Sequence, residues 1–194
     1  MHVRGLPHQW RTLAPVPDLV SLVRRELNDR LSHALDAGIA RHSIVLDPGF
    51  GFGKNFDENY CLLARFAEFH LLGVPLLAAV SRKSFLARTV AARLSQLAEL
   101  TGAPLPQSAD VGSEANSNTS ARNAATWNTG TLHTATLDTA TLDTVTQAAT
   151  VAAALAGAHI VRVHAVRPAV EALAIADAIL HAQPNYAQPK NARP

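Results

Sequence analysis

Ile44-Val45-Leu46-Asp47-Pro48-Gly49-Phe50-Gly51-Phe52-Gly53-Lys54 opens as a strand and closes as a loop. The run from Ser43 to Leu46 is short, apolar and β-prone, and it stops at Asp47-Pro48-Gly49. Glycines at 49, 51 and 53 allow a tight turn and a close backbone approach to a ligand, because no Cβ obstructs it. A carboxylate at a strand end, two phenylalanines spaced by glycine and then a lysine form a candidate binding loop. The plainer reading is a glycine-rich βα turn with a capping Asp. Aromatic side chains on such a loop are costly to leave in water, which favours the first reading.

Outward from this loop the chain alternates helix and strand. Before it, Val20, Val23, Leu27, Leu31 and Leu35 follow helical spacing from Asp18, and Gly38 falls at the C′ position. After it, Asp57 is the expected N-cap of a helix carrying Leu62, Phe66, Phe69 and Leu72, closed by Gly73 and Pro75. Residues 75–80 read as a second buried strand. That strand runs into Ser81-Arg82-Lys83-Ser84 and a helix bearing Phe85, Leu86, Val90, Leu94 and Leu97. A small-residue helix is expected over 145–156, ended by Gly157. The third strand, 159–163, delivers Arg162 and His164, and a last helix opens at Pro168 as its N1 residue.

Residues 101–144 break this pattern. Ser, Thr, Asn and Ala dominate, and a five-residue repeat (TGTLH, TATLD, TATLD, TVTQA) occupies 129–148. One Leu per repeat cannot bury a solenoid core, so the segment reads as a low-complexity insertion. His133, Asp138 and Asp143 share the fifth position; a metal stripe is conceivable, but solvated loop residues are the expectation. The tail, 182–194, has three prolines and no periodicity, and disorder is expected there. The organisation is one domain, 1–181, interrupted at 101–144.

Composition narrows the function classes. The chain has 194 residues, 48% hydrophobic and 16% charged, with a formal net charge of +2. Nothing is basic enough to argue for nucleic acid, and no apolar run has transmembrane length. The single Cys61 excludes an internal disulfide and fits a buried hydrophobe in a reducing cytoplasm. The expectation is a soluble cytoplasmic protein.

Alternating helices and strands make a parallel α/β protein. Each strand ends in polar groups: Asp47, then Ser81-Arg82-Lys83, then Arg162 and His164. A (β/α) barrel collects such residues at the C-terminal ends of its strands, whereas an open sheet gathers them at a switch point. Three successive loaded ends favour the barrel. One carboxylate, several cations and two aromatics suit a polar heterocycle beside an anionic leaving group. Structural pairing of Arg162 with an acidic helix residue is the competing reading.

The motifs DPGFGFGK at 47–54, SRKS at 81–84 and RVH at 162–164 resemble dihydropteroate synthases, in the same order. Met1-His2-Val3-Arg4-Gly5 is similar to the family's M-H-M-x-G segment, and residues 157–161 to its final strand. The resemblance covers most of 1–98 and 145–181. It implies a pterin-binding TIM-type (β/α)8 barrel, of which this chain is expected to be only the C-terminal half. It further implies a transferase of folate biosynthesis, joining 6-hydroxymethyl-7,8-dihydropterin pyrophosphate to p-aminobenzoate.

By the same resemblance Asp47 would hold the donor edge of the pterin and Lys83 its acceptor side. Phe50, Phe52 and Lys54 would border the p-aminobenzoate site, helped by Arg82 and Ser84. Arg162 and His164 would hold the pyrophosphate, with Lys83, Arg162 and His164 as the catalytic set. Magnesium is the implied cofactor, although its usual protein ligand is not in this chain. The implied partners are the two small substrates, with no nucleic acid or membrane, and a homodimer stays open.

Three departures qualify this. Ala165 stands where the family usually has Asp, and Ala79 where it usually has Gly. The match also begins at the family's fifth strand, so the pterin-binding Asp and Asn of earlier strands have no counterpart. Without insertion and tail, about 140 residues remain against roughly 250 for a full barrel. A half barrel would leave sheet edges open and be weakly active alone. A non-catalytic pterin-binding or interaction protein on the same scaffold is the alternative, with a pterin-dependent methyltransferase domain more distant.

Overall fold

The computed structural model describes residues 1–102 and 137–182. Five helices surround a short parallel β arrangement: α1 Leu19–Asp36, α2 Phe56–Ala64, α3 Ser84–Thr101, α4 Thr139–Leu155 and α5 Val166–Ala182. The strands are β1 Leu77–Ala78 and β2 Ile160–Val161, paired in parallel with Leu77 opposite Ile160 and Ala78 opposite Val161. Before β1, only Leu46 of the first expected strand is paired, in a parallel bridge to Leu76. The Leu46 N–H donates to Pro75 O (2.9 Å) and the Leu77 N–H donates to Leu46 O (2.8 Å). Residues 41–43 form a 3-10 turn instead, which shortens that strand.

Local sequence accounts for the helix ends. Asp18 caps α1 by accepting the Ser21 N–H at 3.2 Å, and Val20, Val23, Leu27 and Leu31 bury one face. Gly38 follows at φ +85 as expected of C′. The cap of α2 is Asn55 rather than Asp57; Glu58, three residues on, accepts the Asn55 N–H in a capping box. The expected single helix through residue 72 breaks at Arg65 and continues as a 3-10 helix, Phe66–Leu72. Buried Phe66, Phe69 and Leu72 recur every third residue, and a three-residue turn puts them on one face.

α4 begins six residues before the expected start, inside the repeat. Asp138 caps it by accepting the Thr141 N–H at 2.7 Å. Residues 139–144 are therefore helical and not part of a solvated loop. The rest of the repeat, including His133, lies outside the described residues, as does the tail beyond 182. α5 starts two residues before Pro168, which falls within the first turn, where no amide hydrogen is needed. Cys61 is exposed, contrary to expectation. Among the described residues no helix is long and apolar enough to cross a membrane.

The N-terminal segment supplies a further layer of backbone contact. The His2 N–H donates to Asp47 O (2.8 Å) and the Arg4 N–H to Phe52 O (3.3 Å). This approach explains two glycines. A Cβ on Gly49 would lie 1.9 Å from His2 O, and one on Gly53 would lie 2.0 Å from Arg4 O. Both sit at positive φ as well. Gly49→Ala or Gly53→Ala is thus expected to destabilise by at least about 2 kcal/mol, beyond the conformational cost alone. Gly38→Ala, with open space around its Cβ, should cost only about 1 kcal/mol. Urea unfolding of the three variants checks the order.

Candidate functional site

Three strand ends point the same way because their strands run parallel. At the first, Asp47 is buried, and its Oδ1 accepts the Gly49 N–H at 2.7 Å. That bond closes the turn and leaves the second carboxylate oxygen for other partners. The loop is pinned from beneath by Lys54, whose Nζ donates to Gly49 O (2.6 Å) and Phe52 O (3.1 Å). Burial pushes the Lys54 ammonium down to about 7; Asp47 opposes the shift and Lys83 adds to it. Asn59 of α2 clamps the loop from the side, accepting the Gly51 N–H at 2.7 Å and donating to Asn55 O at 2.7 Å.

The two phenylalanines part company. Phe50 is fully buried, its ring stacked near Phe66 and Phe85 at centroid distances of 6.2 and 6.4 Å. It belongs to the core. Phe52 stays partly exposed, with Trp10 edge-on at 5.5 Å and the Lys83 ammonium 4.2 Å from its ring centre. That cation–π contact holds Lys83 over the loop.

The second strand end carries Ser81, Arg82 and Lys83. Buried Ser81 accepts the His164 backbone N–H at 3.2 Å, and its Oγ lies 2.8 Å from His164 Nδ1. Arg82 turns away, at φ +54, and forks onto Asp143 of α4 at 2.8 and 2.9 Å. Lys83 is drawn below the usual lysine range by burial and then by the nearby Arg162 charge, with Asp47 opposing. Ser84 is exposed at the start of α3.

The third end brings Arg162 and His164 to the same mouth. A cleft of about 500 Å³ is lined by Ala79, Ser81, Lys83, Arg162, Val163 and His164. Among the described residues Arg162 forms no ion pair with a carboxylate, so the competing reading of a structural pair does not hold there. Lys83, Arg162 and His164 are thus gathered with Asp47 close enough for its charge to act on Lys83. Asp47, Phe50, Phe52, Lys54, Arg82 and Ser84 line no part of the cleft. Lys54 supports the loop and Arg82 faces α4.

Three residues have supporting roles that the sequence pattern does not show. Asn59 has no signal, since a helical Asn reads the same buried or exposed. Ser81 is visible as a strand-end polar residue, but its bond to His164 spans 83 positions. His2 is fully buried, 3.1 Å from Glu26, and burial with the Lys54 charge pushes its imidazole down to about 3.

The chain is a parallel β/α scaffold with a cationic mouth at its strand ends. The chain belongs to the family described as pterin binding enzyme, whose profile matches residues 1–127. It is 44% identical over 86 residues to dihydropteroate synthase of Escherichia coli (strain K12), covering 44% of this chain and 30% of that protein. With the Bacillus subtilis (strain 168) dihydropteroate synthase the identity is 36% over 88 residues, covering 45% and 30%. Among solved structures, Yersinia pestis dihydropteroate synthase with a sulfonamide drug complex aligns at TM-score 0.64 and 29% identity, covering 94% of this chain and 50% of that one. The Thermus thermophilus enzyme in complex with 4-aminobenzoate aligns at TM-score 0.59 and 29% identity, covering 89% and 52%. The chain therefore spans under a third of the length of the curated relatives and about half of the solved ones. Its fold is a part of the TIM-type barrel.

Two outcomes test the site's construction. Ser81→Ala removes the His164 ring partner, so the imidazole nitrogen shifts of His164 should move while the global fold persists, as read by 15N NMR. For Lys54 the folded pKa is below the unfolded one, so the unfolded chain binds more protons between about pH 7 and the ordinary lysine value. Its contribution to stability therefore rises with pH across that window. In Lys54→Met this part of the slope should vanish, which urea unfolding at pH 7, 8 and 9 will show.

Proposed function

We propose that this chain carries the pterin- and pyrophosphate-binding side of a dihydropteroate synthase. The observation that supports it most is the gathering of Lys83, Arg162 and His164 around one cleft beside Asp47. In this reading Asp47 accepts hydrogen bonds from the amino edge of the dihydropterin and Lys83 donates to its acceptor side. Arg162 and His164 hold the pyrophosphate. Phe52, backed by Trp10, borders the side from which p-aminobenzoate approaches.

The chemistry needs no nucleophilic side chain. The aniline nitrogen of p-aminobenzoate attacks the methylene carbon, and its proton passes to water or to the departing pyrophosphate. The carbon–oxygen bond breaks, and pyrophosphate leaves with the electron pair. Cations fixed beforehand around the departing oxygens stabilise the charge as it develops. Arg82, whose guanidinium is taken up by Asp143, and Phe50, which is in the core, are left out of the substrate set. Lys54 holds the loop from beneath, and Ser84 lies exposed at the start of α3.

A resident magnesium ion does not fit the residues present. Among the described residues no three of His, Cys, Asp and Glu lie together, and the mouth itself is cationic. The reading includes a single domain over 1–181 with the Thr-rich insertion and a cytoplasmic location, which a chain with one free cysteine supports. It also includes self-association, supported by α5, which leaves Val166, Val170 and Ile175 exposed.

The 194 residues span about half of the barrels they resemble, so substrate contacts from the remainder are missing when this polypeptide is assayed alone. Each lost partner of a buried polar group costs about 1–3 kcal/mol, and about 1.4 kcal/mol is tenfold in rate. Little or no turnover is therefore expected of the isolated polypeptide. Adding the complementary half of a related barrel should restore pyrophosphate release, and Lys83→Ala should abolish it. Turnover that survives Lys83→Ala would overturn the assignment. Pterin binding without turnover, even with the added half, would favour the non-catalytic reading.

A further inference from the structure

Arg82 is the one non-glycine residue at positive φ among the described residues, at +54. A left-handed conformation costs a residue with a Cβ roughly 1–2 kcal/mol, so the surroundings must hold it. Two contacts from α4 do so. The Arg82 N–H donates to Thr146 Oγ1 at 3.0 Å, and its guanidinium donates to both carboxylate oxygens of Asp143. Thr146 is buried, and its own hydroxyl donates to Leu142 O at 2.7 Å, so its lone pair is fixed toward Arg82. On either side of this turn, Ser81 faces His164 and Lys83 faces the cleft.

We propose that Asp143 and Thr146 are positioning residues, which lock the left-handed turn at Arg82 and thereby aim Ser81 and Lys83 into the cleft. Asp143 closes the third copy of the five-residue repeat, so the Thr-rich segment ends in a structural contact to the site. Both partners respond to the pair: Arg82 is held above, and Asp143 below, its ordinary range by their mutual hydrogen bonds. The inference rests on the function proposed above only in treating Lys83 as a ligand-binding group.

The test reads Lys83 directly. The chain has three lysines, Lys54, Lys83 and Lys190, so 13Cε-labelled lysine gives a spectrum simple enough to assign by Lys→Arg exchange. In the full chain Lys83 should titrate below the ordinary range and carry a ring-current shift from Phe52. In Asp143→Asn and in Thr146→Val both signatures should move toward those of free lysine, with the Lys54 signal and the helical circular dichroism unchanged. Asp143→Glu, which keeps a charged partner, should retain most of the wild-type pattern. Arg82→Gly should recover it too, since glycine adopts this φ without a clamp. The proposal fails if Lys83 keeps its wild-type signals in the folded single variants, either of which suffices should the other not fold. It also fails if Arg82→Gly does not recover them. Affinity for 6-hydroxymethylpterin should fall about tenfold in Asp143→Asn, equivalent to about 1.4 kcal/mol. A wild-type chain that binds no pterin overturns the proposed function, while the lysine spectra still decide the clamp.

Discussion

A parallel backbone ladder only a few bonds long sets the direction of everything at the mouth. Leu46 bonds to Pro75 and Leu77, and β1 bonds to β2 in register. Because all these strands run the same way, Asp47, Lys83 and His164 emerge on one side, although they are separated by up to 117 positions in the chain. The ladder is too short to hold this arrangement by hydrogen bonds alone. Its rigidity comes from the apolar layer beneath, where Leu76, Phe50, Phe66 and Leu62 are fully buried. Phe50 joins that layer to the glycine loop, so the loop's position is tied to the core.

Charge at the mouth is arranged in two tiers. Lys54 lies beneath the loop, satisfied by two backbone carbonyls, and does not need a ligand. Lys83 lies above, held over the Phe52 ring and close to Arg162. Two cations in mutual repulsion with one carboxylate nearby leave an unbalanced positive site. Burial and repulsion both act against the Lys83 charge, and an anion arriving there relieves the second. Such a cluster suits a ligand that brings negative charge.

Much of this is legible in the sequence because it is local. Asp18 and Gly38 bracket α1 as their residue types dictate, and the loaded strand ends are visible as Asp47, Ser81-Arg82-Lys83 and Arg162-Val163-His164. What is not legible depends on distant neighbours. Glycine's two uses look identical in sequence, and Gly49 and Gly53 admit the N-terminal backbone more closely than any side chain would allow. Phe50 and Phe52 have the same spacing signal, yet one ring is core and the other partly exposed. The family resemblance assigns the Arg82 side chain to the p-aminobenzoate side, whereas the structure turns its guanidinium onto Asp143. A residue in the left-handed region reverses that expectation, and no local pattern marks a non-glycine residue for it.

The repeat shows how low complexity can hide a specific contact. Its fifth positions look equivalent, but Asp138 caps α4 and Asp143 pairs with Arg82. A helix turns about 100° per residue, so five residues advance the face by about 140° beyond a full turn. Asp138 and Asp143 therefore do not share a face, and His133, the third residue of the series, lies outside the described residues. That divergence frees each Asp for a different task, one at the helix end and one on the flank against Ser81-Arg82-Lys83. Among the described residues the repeat thus reaches the Ser81-Arg82-Lys83 turn through the side chain of Asp143.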